Sequence, residues 1–463
     1  MKKRLLCLFV LAALLTPMLF AGGKQEVESG PRTVTIEVWT REAGVNHWRA
    51  DLATEAAVEL NAQLKAEGSE VTVEVVPVHD EGDWGGFKKK YSLAADAGEA
   101  PLIICSGHED IATWGQAGYI IPLADTVSEI QAEAPEFSDV FESLWNSATW
   151  RNQIWGVPQD TEARPMYFNK TLLGEMGWSD TDIAALPGKI EMGEFTLSDL
   201  ISVASEAIDK GVVEPGYGYW HRPSKGGDFL QFYKAFGGDV YDAAEDKLVI
   251  DEEALTAFYA FQRECVTSGV SPDKYIGTEW KIWHDVVSNG KALFMNGGTW
   301  MWADWAANYA VGGEEALFEN IGYAYQPSGV KGVKGTTLSH PLVYLISSES
   351  ASDSSDQDLA MRLIALMSTT ERNTRHAVES GHLGILNSQT DFDAYKESQF
   401  LADVTYLLDN NFYLPNHVLY GTWFDILWDG MVAAEQGEKS PEEAAADAVK
   451  LMKLEIEDQL IVR

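Results

Sequence analysis

Cysteine is nearly absent from this chain. Three occur in 463 residues, Cys7, Cys105 and Cys265. None lies in a CxxC or a Cys/His cluster, which removes zinc ribbons and redox dithiols from consideration. Cys105 sits in an apolar strand-like run and Cys265 in a helix-like one. They read as two buried free thiols, with a disulfide between them as the alternative. Positive charge is also scarce. Lys and Arg number 34 against 71 Asp and Glu, a formal net charge of −37. Such a field repels nucleic acid and anionic lipid and disfavours phosphorylated ligands. No nucleic-acid partner is expected, and neutral or cationic solutes remain. Enzyme signatures are missing too: no GxSxG elbow, no HExxH, no GxxxxGK[ST]. A two-carboxylate glycosidase survives that test, because 71 acids offer many pairs. Nothing in the pattern singles one out, and no cofactor or metal motif is present, so none is expected.

Long apolar runs are limited to one, residues 5–20. Lys2, Lys3 and Arg4 precede it, and Leu19-Phe20-Ala21-Gly22 offers small residues for cleavage after Ala21. This is the layout of a secretory signal peptide, and the run is short for a membrane span. Residues 1–21 are read as that signal and 22–31 as a flexible tether. A lipid anchor would need a cysteine at the cleavage site, whereas Cys7 lies at the start of the run. A freely soluble periplasmic or otherwise extracytoplasmic protein is expected. Loss of the leader would take the formal charge to about −40.

The mature chain exceeds one typical core, so at least two lobes are expected. Residues 33–39 (TVTIEVW) alternate as a strand, a helical spacing runs to Leu64, and residues 71–78 (VTVEVVPV) form a second strand. Residues 91–97 read as helix and 101–105 (PLIIC) as a buried strand. This β-α-β-α-β rhythm predicts an α/β lobe with a largely parallel sheet, whose ligands sit beyond the strand ends. From Phe195 onward the chain turns mainly helical. A late strand is predicted over 337–347 (TLSHPLVYLIS) and a surface loop over 347–355. Ser440-Pro441-Glu442-Glu443 marks the start of the last helix.

Aromatic residues are plentiful, with 16 Trp, 17 Tyr and 18 Phe. A flat Trp face matches the C–H face of a sugar ring, although most Trp residues simply fill cores. Trp39, Trp84, Trp220, Trp300, Trp302 and Trp423 stand in glycine- or polar-flanked settings, Trp300 within Asn296-Gly297-Gly298-Thr299. Polar groups follow the strands: Arg41-Glu42 after the first, His108-Glu109-Asp110 after PLIIC, and Asp160, Glu162 and Arg164 after Trp155-Gly156-Val157-Pro158. Carboxylates and Arg are the usual partners of vicinal hydroxyls. His221 and His340 are weaker candidates.

Residues 153–170, QIWGVPQDTEARPMYFNK, resemble a crossing segment of the extracellular solute-binding proteins of carbohydrate ABC importers, the group that includes maltose-binding protein. Phe168 replaces a usual Tyr there. Gly237-Gly238-Asp239, the 289–295 stretch NGKALFM and Gly298-Thr299-Trp300 resemble further family segments in the same order, as do 337–346, 361–386 and 414–443. The resemblance implies a two-lobed periplasmic-binding-protein fold of type II, with a three-segment hinge and the ligand between the lobes. Lobe 1 would take 32–158 and 328–384, and lobe 2 would take 159–327 and 385–463. It implies sugar contacts from Arg41, Glu42, His108, Glu109, Asp160, Glu162, Arg164 and Trp300, with Trp220, His340 and Trp423 near other contact regions. The implied role is a monomeric, non-enzymatic receptor that closes on a di- or oligosaccharide and docks on an inner-membrane ABC permease. A receptor for a polyamine or polyol, or a secreted glycosidase, is the alternative.

Overall fold

The computed structural model describes residues 31–42 and 48–463, Trp48 by its backbone alone. The expected signal 1–21, and the expected tether apart from Pro31, lie outside the described residues. The strands of the two principal sheets and of one further pair frame the site. In chain order they are β1 (Arg32–Arg41), β2 (Val71–Asp80), β3 (Ile103–Gly107), β4 (Val157–Asp160), β5 (Met166–Asn169), β6 (Tyr219–Trp220), β7 (Phe294–Asn296), β8 (Ile321–Ala324), β9 (Thr337–Leu338), β10 (Leu342–Ile346) and β11 (Asn411–Phe412).

The first sheet has the order β2-β1-β3-β10-β4. β1 pairs parallel with β2 and β3, and β10 pairs antiparallel with β3 and β4. In β1, Val34, Ile36 and Val38 face the core while their neighbours are more exposed, as period-two alternation requires. β3 and β10 lie inside the sheet and are buried throughout, so IICSG and LVYLI carry no polar alternation. The helix Trp48–Ala66 packs on β2 and on the helix Gln357–Met367.

The second sheet has the order β8-β5-β7-β6. Beside it, the helices Glu252–Thr267, Tyr420–Glu435 and Pro441–Glu455 pack on one another. The last starts where its sequence signals. Ser440 and Glu443 form a reciprocal capping box, with Pro441 in the first turn.

Two hydrophobic cores result. One gathers side chains from 34–157 and 342–386, the other from 163–338 and 395–456 together with Ala377 and Leu383. The chain therefore passes between the lobes three times. The second passage falls between Leu338 and Leu342, later than the boundary at 328 read from the sequence, because Leu338 packs in the second core. At the third, Ile385 and Leu386 still belong to the first core. The strand predicted over 337–347 is two strands. β9 pairs with β11 and β10 enters the first sheet, with Ser339-His340-Pro341 between them. The loop predicted over 347–355 contains a short helix, Glu349–Ser352. Cys105 and Cys265 are buried free thiols in different cores.

Candidate ligand-binding site

The first cluster follows from strand register. β3 and β10 are paired Gly107 to Leu342. Beyond that pair the His108 N–H donates to the Pro341 carbonyl at 3.3 Å, which brings Glu109 to His340. His340 Nε2 lies 2.7 Å from a Glu109 carboxylate oxygen. Gly107 permits this approach, since a Cβ there would overlap the Glu109 carboxylate. The other Glu109 oxygen takes Lys88 Nζ at 2.7 Å, and Lys88 also reaches Asp110 at 2.9 Å. Burial works to raise the Glu109 pKa, but the charges of His340 and Lys88 outweigh it and hold the carboxyl well below its usual range. Burial, helped by His340, pushes His108 down to about 4, so its ring is neutral. Burial works to lower His340, and the Glu109 carboxylate raises it despite that.

The passage from β4 to β5 brings Glu162 and Arg164 to the same place. Arg164 binds Glu162 and, from the second lobe, Asp228, which also binds Arg222. Burial raises the Glu162 carboxyl in spite of Arg164. Asp228 is held down at about 2, because the two guanidinium groups outweigh its burial. Glu162 lies 3.9 Å from His340 Nδ1, which joins the two halves of the cluster. The Arg164 guanidinium sits 5.0 Å from the Trp300 ring centroid. The ring folds over Gly298, where a Cβ would collide with it, and stacks near His382 at 6.3 Å with 12° between planes. Trp300 remains partly exposed.

A second cluster lies beside it. Arg49 binds Asp160 at 2.6 Å and Gln159 at 2.8 Å, and its backbone N–H donates to Glu42 at 2.6 Å. His376 Nε2 lies 3.1 Å from Asp160 and His79 Nδ1 lies 3.1 Å from Glu42. Burial works to raise Asp160, but Arg49 holds its carboxyl far below the usual range. Burial pushes His382 down to about 3 and lowers His376 as well.

Of the residues singled out by sequence, His108, Glu109, Glu162, Arg164, Trp300 and His340 converge in the first cluster. Glu42 and Asp160 belong to the second. Arg41 stands apart, donating to the Gly82 carbonyl at 2.9 Å with its guanidinium over Trp84. Trp220 and Trp423 are not in either cluster. Trp220 packs on Tyr217 and Tyr275 and donates its N–H to the Gly216 carbonyl at 2.6 Å. Trp423 is fully buried against Tyr233 and Tyr420. A glycine-flanked Trp reads the same whether its ring turns outward or inward, and here both turn in. Trp302 also lies in the core, stacked on Phe400. His221 is buried beside Glu435.

Sequence reasoning missed Arg49, Lys88, Arg222, Asp228 and His382. It also missed Tyr420, whose buried hydroxyl lacks a partner and feels the charges of Glu109 and Arg164. Trp423, which the sequence singled out, lies on the same helix, Tyr420–Glu435, but its ring is buried in the second core. A cavity of about 650 Å³ is lined among others by Trp150, Arg151, Lys234 and Tyr241, and by Tyr413 and Asn416, which contact His108. None of the singled-out residues lines it.

Solved structures with the same two-lobed architecture include three sugar receptors. The GacH receptor of Streptomyces glaucescens, solved unliganded and with acarbose, is 19% identical, with a TM-score of 0.67 over 92% of this chain and 98% of that one. Maltose-bound T. maritima MalE3 is 18% identical, with a TM-score of 0.69 over 91% and 100%. The sugar-binding protein MalE of Xanthomonas citri is 16% identical, with a TM-score of 0.70 over 90% and 96%. A curated relative, an uncharacterized lipoprotein in the oleD 5' region of Streptomyces antibioticus, is 27% identical over 117 residues, 25% of this chain. That match spans only 24% of the relative's length. The family model described as bacterial extracellular solute-binding protein matches residues 50–373, and the chain therefore belongs to that family of extracytoplasmic binding proteins.

Proposed function

We propose that this protein is a carbohydrate receptor, without catalytic activity, that closes on a di- or oligosaccharide and delivers it to an ABC importer permease. The observation that carries this reading is the junction itself. Each acid there has a cationic partner, Lys88 for Glu109 and Asp110, Arg164 for Glu162, and Arg164 with Arg222 for Asp228. Such a site offers fixed hydrogen-bonding groups and the partly open Trp300 ring rather than a net charge, which suits a neutral polyhydroxyl ligand. The groups come from both lobes and from the passages between them, so one ligand can touch all of them only when the lobes are together. Maltose in MalE3 and acarbose in GacH support the choice of sugar.

The test is a thermal-shift screen of the mature chain against mono-, di- and oligosaccharides, with polyamines and glycerol phosphate as rival arms. A sugar at a hundredfold excess over its Kd should stabilise the protein by about 2.7 kcal/mol. Trp300→Ala should weaken that sugar by up to about tenfold. A shift with a polyamine and none with any sugar would overturn the reading. So would turnover of a glycan that is lost on replacing Glu109 and Glu162.

A further inference from the structure

We propose that His108, Glu109 and His340 form a three-ligand site for a divalent transition-metal ion of the zinc class, set in the junction between the lobes. This inference does not depend on the carbohydrate reading. One ligand atom from each residue lies within 4.8 Å of the others. Zinc bonds of about 2.0–2.2 Å in tetrahedral array place ligand atoms about 3.4 Å apart. The longest edge must therefore close by on the order of 1 Å, a movement within reach of side-chain rotation.

The site turns on one nitrogen. His108 is fully buried, and its Nε2 has no hydrogen-bond partner. The state of that nitrogen is set from the far side of the ring. Asn416 Nδ2 donates to the carbonyls of Ser147 at 2.7 Å and Thr149 at 2.9 Å, which leaves Asn416 Oδ1 facing His108 Nδ1 at 3.1 Å. Nδ1 therefore carries the proton and donates, and Nε2 presents a bare lone pair. A buried acceptor without a donor is costly. An imidazole whose second nitrogen is held by an amide or carbonyl oxygen is a recurrent arrangement of metal-bound histidine.

His340 is held differently. Its Nε2 faces Glu109, and its Nδ1 faces Glu162 at 3.9 Å. An ion entering between His340 Nε2 and the Glu109 oxygen would replace the proton they share, which leaves to solvent, so binding releases one proton. Glu109 keeps one oxygen on Lys88 and gives the other to the metal. Three protein ligands leave a fourth position for water or a ligand hydroxyl. Sequence spacing shows no motif for this site, because His340 joins His108 and Glu109 only through the pairing of β3 with β10. Among the described residues one other group of this type occurs, Asp160 with His376 and His382. There the Arg49 guanidinium already occupies the Asp160 oxygen, which makes it the poorer site.

The test uses the full mature chain stripped with chelator and titrated with Co²⁺ and Zn²⁺. Calorimetry should show one ion per chain, and Co²⁺ should develop the visible absorption of a four-coordinate N/O site. His108→Gln and His340→Gln should each weaken binding at least about tenfold, while His284→Gln, remote from the junction, leaves it unchanged. Circular dichroism checks folding. If His108→Gln does not fold, His340→Gln decides. Absence of a stoichiometric ion, or full-strength binding in folded His340→Gln, would overturn the proposal. Sugar-driven shifts measured in chelator report on the carbohydrate reading alone, so failure of either is seen separately.

Discussion

His376 and His382 are neutral bases held against Asp160 and Arg49 in a buried cluster, and their protonation is linked to stability. Burial lowers both below the ordinary histidine value, His382 to about 3. The unfolded chain then binds more protons than the folded one, so their stabilising effect is complete above about pH 6.5 and is lost as the pH falls below it. His340 acts in the opposite sense. Its raised value gives stability below about pH 6.5 that is lost as the pH rises through its folded value. His108, lowered to about 4, acts in the same sense as His382, so urea unfolding of wild type should lose about 2–3 kcal/mol between about pH 6.5 and about pH 5. His382→Asn should flatten that slope, and an unchanged slope would remove the histidine from the account. Residues of this kind were only partly legible in the sequence. His108 and Glu109 stood out because a polar triplet follows a short apolar strand. Lys88, Asp228 and Arg49 did not, because each meets its partner only across the fold and nothing local distinguishes them from solvated charges.

At the scale of elements, the segment after β11 is fastened to the first lobe by Asn416, with Tyr413 and Val418 packed on the first core beside it. Asn416 bonds Ser147, Thr149 and His108 at once and is buried. Asn416→Ala should cost about 2–4 kcal/mol in denaturant unfolding, since it strands buried carbonyls and the His108 donor. Asn416→Asp should recover only the His108 bond. A loss below about 0.5 kcal/mol would show that water replaces the amide. Elements with a clear period were readable. β1 and β2 alternate, and the final helix carries its own start signal in Ser440 and Pro441. The segment 337–347 was not. Apolar residues flank Ser339-His340-Pro341 on both sides, and only tertiary pairing reveals that the chain changes lobes there.

At the scale of the molecule, a ligand can close the lobes only by binding the closed form better. Small-angle scattering should show the radius of gyration, about 22 Å for a chain of this length, fall by about 1 Å on saturation with the sugar that shifts the melting temperature. No change at saturation would mean that ligand and lobe movement are uncoupled. The two-lobed plan was legible because the order of elements and motifs carries it. The exact passages were not, because they depend on which core a side chain joins. The place of β10 has one more consequence. It lies between β3 and β4, yet it is made nearly two hundred residues after β4. An emerging chain therefore holds an incomplete first sheet, with the facing edges of β3 and β4 open, until most of the second lobe has been synthesised. Neither lobe can be cut out as a continuous piece of chain. Assembly must wait for a late strand to enter between two early ones, a long-range closure that is intrinsically slow. A polypeptide that stays unfolded while it lengthens is also one that a translocation channel can still thread.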